Sequence, residues 1–236
     1  MSAPGTPNRR DPKFLAAAIL VGLVLVAGIV LIGVRTFNGS DGNTSPEATA
    51  TATSKSPGSS SACGLPDGDQ AAPATAPPAK WSLAGKTAAP VSEKFGPSKT
   101  SNGIHTCFAH NPTGALFAAI NYYADTTDPS VGTKRLLSER IFSDENASKA
   151  NMGEDSDANA PSYQVSGFRI VDATPQRVSV AVVVRSTEGP TAGQQAAVTF
   201  TMGWQSGDWR VIVPPNGQPP TTAIASLSGY IAWSGV

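Results

Sequence analysis

The chain has 236 residues, with 17 basic and 17 acidic side chains, so its formal net charge at pH 7 is zero. This length allows one or two domains, and no basic patch stands out beyond the first residues, which argues against direct nucleic-acid binding. Only two cysteines are present, so the chain can form at most one internal disulfide.

The first predicted element is a membrane-spanning helix at residues 14–34. The segment reads FLAAAILVGLVLVAGIVLIGV, 21 residues without a charge, and at roughly 1.5 Å per residue it is long enough for the ~30 Å hydrocarbon layer. A cleaved signal peptide has a shorter apolar core of about 7–15 residues and a small-residue cleavage site. Three basic residues precede the segment and only Arg35 closely follows it. The positive-inside rule therefore predicts a cytoplasmic tail at residues 1–13 and an extracellular location for the C-terminal part.

The next segment, residues 35–80, is predicted to be a disordered stalk. Ser, Thr, Ala, Pro and Gly dominate it and large apolar residues are almost absent. Without such residues, nothing offsets the conformational entropy that ordering would cost. Large apolar residues return at Trp81, so we predict a single extracytoplasmic domain over residues 81–236.

Two helices are predicted near the start of this domain. Residues 81–103 form an irregular lead-in. Its apolar anchors are Trp81, Leu83, Val91 and Phe95. Asn111 and Pro112 are typical of a helix start, as N-cap and first helical residue, and Leu116, Ile120 and Tyr123 follow at helical spacing. A second helix is predicted from Asp128-Pro129 to Phe142, followed by a polar loop or frayed helix over residues 143–160.

Beyond residue 161 the apolar period falls to two, which predicts strands. About four antiparallel strands are expected, at residues 162–173 with a bulge near Gly167, and at 176–186, 196–204 and 209–213. Helices followed by a strand meander indicate an α+β fold, with the helices covering one face of a curved antiparallel sheet. The tail is predicted to return to the domain. Its docking anchors are Leu227, Tyr230, Ile231 and Trp233.

His105, Cys107 and His110 lie within six residues of one another and admit three interpretations. A zinc site needs about four ligands, and a Cys–His nucleophile needs a free thiolate. Outside the cytoplasm, a disulfide between Cys63 and Cys107 is favoured instead. Closing that loop would stabilise the fold by roughly 4 kcal/mol, because it lowers the entropy of the unfolded chain. We therefore predict that disulfide and no catalytic, cofactor or metal site.

Two further sets of residues could carry chemistry. The segment DSDAN at 155–159 resembles the start of a calcium loop, but Ala160 and Ser166 stand where that loop needs Gly and Glu. Acid–base candidates near a cone-shaped pocket are Tyr122, Tyr123, Asp125 and Asp172. Each also has an ordinary structural interpretation, in the core or at the end of a helix or strand.

Several stretches carry a resemblance to a known group of proteins. These are FAHNPTGALFAA at 108–119, GDWRV at 207–211 and LSGYIAWSGV at 227–236, combined with the basic N-terminal tail, the anchor and the stalk. The chain resembles a family of single-pass membrane proteins of high-GC Gram-positive bacteria associated with integrative and conjugative elements. The order of elements is similar to nuclear-transport-factor-2-like (cystatin-like) domains, which form the extracytoplasmic part of inner-membrane scaffold subunits in type IV secretion and conjugation machines.

The resemblance implies a structural subunit that acts through self-association and contacts with envelope proteins, without catalysis or cofactor. Candidate interaction residues are Trp204, Trp209, Tyr230 and Trp233. Two other functions stay open: an anchored binding module that holds a small ligand or cell-wall fragment in a cone-shaped cavity, and an isomerase- or dehydratase-like enzyme. The scaffold predicts an exposed apolar face, the binding module a deep pocket, and the enzyme a buried carboxylate or tyrosine with a strongly perturbed pKa.

Overall fold

The computed structural model describes residues 60–150 and 162–235. They belong to one compact unit, Ser54–Val236, which carries its own hydrophobic core and is therefore expected to fold independently. The predicted tail, the predicted membrane span and most of the predicted stalk lie outside the described residues. Within the described part, no helix is both long and apolar enough to cross a membrane.

Two α-helices are present. Helix α1 is Pro112–Thr126, and the Asn111 side chain accepts a hydrogen bond from the Gly114 N–H at 2.7 Å, which confirms the predicted start. Helix α2 is Thr133–Arg140, later than the predicted start at Asp128-Pro129. Asp128 Oδ1 instead accepts the Ser130 N–H at 2.8 Å, and this local turn competes with helix formation.

Ten β-strands are described, far more than the four that the sequence predicts. Their bounds are β1 Lys80–Ala84, β2 Thr87–Val91, β3 Lys99–Ser101, β4 Ile104–Thr106, β5 Tyr163–Ala173, β6 Arg177–Ser186, β7 Gln195–Gln205, β8 Asp208–Ile212, β9 Thr221–Ile224 and β10 Ile231–Ala232. Strands β3 and β4 form a separate hairpin. The other eight make one sheet in the order β1-β2-β5-β6-β7-β8, with β10 paired to β5 and β9 to β7.

The prediction of about four strands in an antiparallel sheet is wrong in two respects. The lead-in and the tail, predicted to be irregular, contribute short strands of two to five residues, which lack the length to show an alternating pattern. In addition, β2 and β5 pair in parallel through Thr87 and Tyr163, so the sheet is mixed. The four predicted strands correspond to β5–β8, which pair antiparallel in sequence.

The core lies between α1 and the concave face of this sheet. The valines at 178, 180, 182 and 184 are all buried on one face of β6, and across the register Val182 faces Val198 and Val180 faces Phe200. Bulges in β5 near Gly167 and at Ile170–Asp172 bend the strand. The α+β prediction, with helices on a curved sheet, is thus confirmed.

The C-terminal segment returns to the domain, as predicted, and Trp233 packs into the core. The Trp233 ring lies 5.0 Å from that of Trp81, 5.3 Å from Phe117 and 5.5 Å from Phe168, centroid to centroid. Leu83, in contrast, is 76% exposed on β1, so its predicted role as an anchor is wrong. Leu83 lies two residues after Trp81 and thus on the same face of β1, but only Trp81 is covered by the Trp233 ring.

Residues 60–80, assigned to the stalk by the sequence, run along the domain. Cys63 and Cys107 form a disulfide with Cα atoms 5.7 Å apart, so the predicted pairing is confirmed. The Ala62 N–H donates to Gly207 O at 2.8 Å, and Gln70 Nε2 donates to His110 O at 2.8 Å. These contacts hold the segment against the domain and place the ordered boundary before residue 81.

Candidate ligand-binding cleft

The His–Cys cluster is divided among three structural positions. Cys107 is held in the disulfide. The His110 ring stacks on Trp204 with centroids 4.0 Å apart, and His105 Nδ1 lies 2.5 Å from Oδ1 of the buried Asp125. Within residues 60–150 and 162–235, no group of three or more His, Cys, Asp or Glu side chains is arranged to hold a metal ion.

A cleft of about 620 Å³ opens beside β7, where one neighbouring strand ends and another begins. Strand β8 pairs with residues 201–205 of β7 and β9 with residues 195–198, so the edge between them has no strand partner. The chain from Val213 to Pro220 loops over this gap, and the Thr199 N–H donates to Pro220 O at 2.9 Å. The volume is in the range of small-molecule sites.

The wall of the cleft next to the core is aromatic and aliphatic. Tyr122 and Tyr123, in the last turns of α1, contact Phe200 of β7 with ring centroids 5.7 Å and 6.4 Å away. Ile141, Val198, Val211 and Val213 complete this wall. The helical period brings the two tyrosines to the sheet, and the alternation of β7 directs Phe200 towards them.

Charged side chains also line the cleft. Asp144 and Glu145 come from the turn after α2, and Arg177 comes from the start of β6. Asp144 Oδ1 accepts the Asn146 N–H at 2.9 Å, which fixes that turn. Two carboxylates and one guanidinium therefore accompany an apolar wall, a mixture that does not favour a strongly charged ligand of either sign.

Both cleft tyrosines stay protonated over the physiological range. Burial raises the pKa of Tyr122 to about 12, with the Arg140 guanidinium opposing this rise and the Asp125 carboxylate adding to it. Burial also raises the pKa of Tyr123 well above its ordinary value, and Tyr163 adds to that effect. The phenol groups are thus neutral, and each carries a proton that can be donated.

The acid–base candidates separate into two groups. Tyr122 and Tyr123 lie together in the cleft, whereas Asp125 is bonded to His105 and Asp172 lies exposed on β5. Neither aspartate is among the lining residues. No local sequence pattern marks Arg177 or the loop at residues 213–220 as cleft residues, because only the tertiary fold brings them to the cleft.

The predicted interaction residues differ in exposure. Trp209 is 1% exposed and donates from Nε1 to Ala109 O at 2.9 Å, and Trp233 is 7% exposed, so both belong to the packed interior. Trp204 and Tyr230 are partly exposed, and the Arg169 guanidinium lies 5.0 Å from the Tyr230 ring centroid. The calcium-like DSDAN segment falls outside the described residues.

Residues 43–232 match the family described as a domain of unknown function, DUF8175. Because the match covers well over half of the sequence, the chain belongs to this family. The matched region begins inside the predicted stalk and includes the segment that the disulfide joins to the domain. No curated protein and no solved structure matches the chain.

Proposed function

We propose that this domain is the binding head of a membrane-anchored envelope protein and that it holds a small, mainly apolar molecule in the cleft. The observation that carries the proposal is the cavity of about 620 Å³ with Tyr122, Tyr123 and Phe200 in its wall. Concave sites of this size, largely apolar with a few polar groups, are the usual form of small-molecule sites. The proposal contains no catalytic step.

The proposed location outside the cytoplasm has two supports. Residues 14–34 have the length and composition of a membrane span, and the Cys63–Cys107 disulfide is typical of an oxidising compartment. The disulfide also ties the segment that leads to the predicted span directly to the domain.

The test is binding of a neutral fluorescent probe, N-phenyl-1-naphthylamine, to residues 54–236. We expect saturable binding that Thr126→Trp weakens at least tenfold. Thr126 lies one helical turn after Tyr122 and Tyr123 and lines the cleft with them, so an indole there would occupy it. Thr222→Trp is the matched control, since Thr222 is exposed on β9 and is not a lining residue. Failure of the probe to bind, or equal weakening by both variants, would contradict the proposal.

A second function, a scaffold subunit of a conjugation or secretion apparatus, is favoured by one observation. Strand β1 pairs only with β2 at the end of the described sheet, and its Leu83 is 76% exposed. An edge strand with an exposed apolar side chain can pair with another chain. We propose self-association through this edge as the alternative.

Sedimentation of residues 54–236 tests the alternative. Dimers that Leu83→Lys dissociates and Val171→Lys does not would support it, because Val171 is also exposed, at 54%, but lies on β5 within the sheet. A protein that is monomeric at millimolar concentration would contradict it.

A further inference from the structure

We infer that the ligand of the cleft is an uncharged apolar molecule with a hydrogen-bond acceptor such as a carbonyl, and that the Tyr123 hydroxyl binds this acceptor. The inference rests on the proposed function of the cleft and names the chemical class of its ligand.

The position of Tyr123 is fixed by its neighbours. Its ring packs between Phe200 and Tyr163, at centroid distances of 6.4 Å and 6.0 Å with steep interplanar angles. The side chain lines the cleft, and its hydroxyl has no hydrogen-bond partner among the described residues. A phenol held by its ring, with its polar end unused, is a prearranged hydrogen-bonding group.

The Tyr123 phenol keeps its proton, so it can donate a hydrogen bond to the ligand. An acceptor on the ligand would meet this donor beside an apolar wall, where leaving either polar group without a partner is costly. The Asp144 and Glu145 carboxylates outnumber the Arg177 guanidinium among the lining side chains, so repulsion between like charges disfavours a carboxylate ligand. A carbonyl, ether or ester oxygen on an apolar body satisfies both conditions.

Tyr122 is a weaker candidate for this role. It is only 6% exposed and already has other interactions within the protein. Arg140 is fully buried, with Nη2 donating to Ala118 O at 3.0 Å and its guanidinium 5.1 Å from the Phe108 ring centroid. Because Arg140 is not a lining residue, Tyr123 is the better-placed donor.

Two probes of similar shape isolate the hydrogen bond: acetophenone, which has a carbonyl, and ethylbenzene, which has a methylene in its place. Their dissociation constants are measured by NMR titration of ¹⁵N-labelled residues 54–236. The quantity of interest is the ratio of the two constants, compared between the wild-type domain and Tyr123→Phe. This comparison removes the difference in hydration between the probes.

We expect Tyr123→Phe to reduce the relative preference for acetophenone by roughly two- to tenfold, the effect of one neutral hydrogen bond. Tyr230→Phe is the matched control, since Tyr230 lies outside the cleft, and it should leave the ratio unchanged. The inference is overturned if Tyr123→Phe leaves the ratio unchanged while both probes bind, and the proposed function then still stands. If neither probe binds the wild-type domain, both are overturned.

Discussion

The carboxylate of Asp208, at the start of β8, accepts the backbone N–H of Cys107 at 2.8 Å, although 101 residues separate them. Its other oxygen accepts the N–H groups of Phe108 and Trp209 at 3.0 Å and 2.9 Å. Cys107 has a positive φ of 71°, which is uncommon for a residue with a side chain. Asp208 therefore fixes the segment before α1 onto the β7–β8 turn.

Replacing Asp208 should lower the free energy of unfolding more than its partial exposure suggests. We expect Asp208→Ala to cost about 2–4 kcal/mol, because three N–H groups lose a charged acceptor. Asp208→Asn keeps one acceptor oxygen and should cost less. Urea unfolding of residues 54–236 measures both, with the exposed Asp172→Ala as control. Equal stability of the wild type and Asp208→Ala would show that the three bonds contribute nothing net.

Loss of the disulfide should also destabilise the domain. Cys63 and Cys107 are 44 residues apart, and closing a loop of that length removes unfolded-state entropy worth about 4 kcal/mol. We expect a Cys63→Ser/Cys107→Ser double variant and the reduced wild type to lose similar free energies of unfolding. The variant is measured with and without reductant, and a further loss on reduction would reveal an effect unrelated to this pair.

Gly114, in the first turn of α1, has no room for a side chain. An added Cβ would lie 2.0 Å from Ala109 O, a backbone atom that cannot move alone. Gly114→Ala should therefore cost about 2–3 kcal/mol. Gly132→Ala is the matched control, because no atom lies within 4 Å of the Cβ position there, and it should change stability by less than about 0.5 kcal/mol. Thermal unfolding of the two variants distinguishes these outcomes.

The buried Tyr122 makes stability dependent on alkaline pH. Its pKa is about 12 in the folded domain against 10.0 ordinarily, so the fold favours the neutral phenol. This contribution is complete below pH 10 and is lost as the pH rises towards 12. Tyr122→Phe should make the fall in unfolding free energy over this interval shallower, as measured by urea unfolding at several pH values. An identical slope in the variant would rule out Tyr122 as the source.

The elements predictable from sequence are those whose pattern is local. Asn111-Pro112 marks the start of α1, and the alternating valines of β6 mark a strand with one buried face. The structure has this helix start and this strand at the predicted residues. Strands β1 to β4 are three to five residues long, and segments such as Thr87–Val91 show no alternation. Their conformation is set by pairing with neighbouring strands, and this pairing cannot be recognised from a short stretch of sequence.

The cleft is predictable only in part, for the same reason. Tyr122 and Tyr123 can be chosen from the sequence because two adjacent tyrosines end an otherwise alanine-rich helix. Arg177 lines the cleft from the start of β6, and the loop at 213–220 lies over the gap between β8 and β9. Asp208 contacts Cys107 across 101 residues, and neither relationship has a local signature.

The most direct test of the central claim is to map where a small apolar molecule binds. ¹⁵N-labelled residues 54–236 are titrated with acetophenone, and amide chemical shifts are followed along the chain. Saturable changes concentrated at the end of α1, around Phe200 and in the loop at 213–220 are the predicted result. Changes confined to β1 and its neighbour β2, or no saturable change at any residue, would contradict the assignment of the cleft as a ligand site.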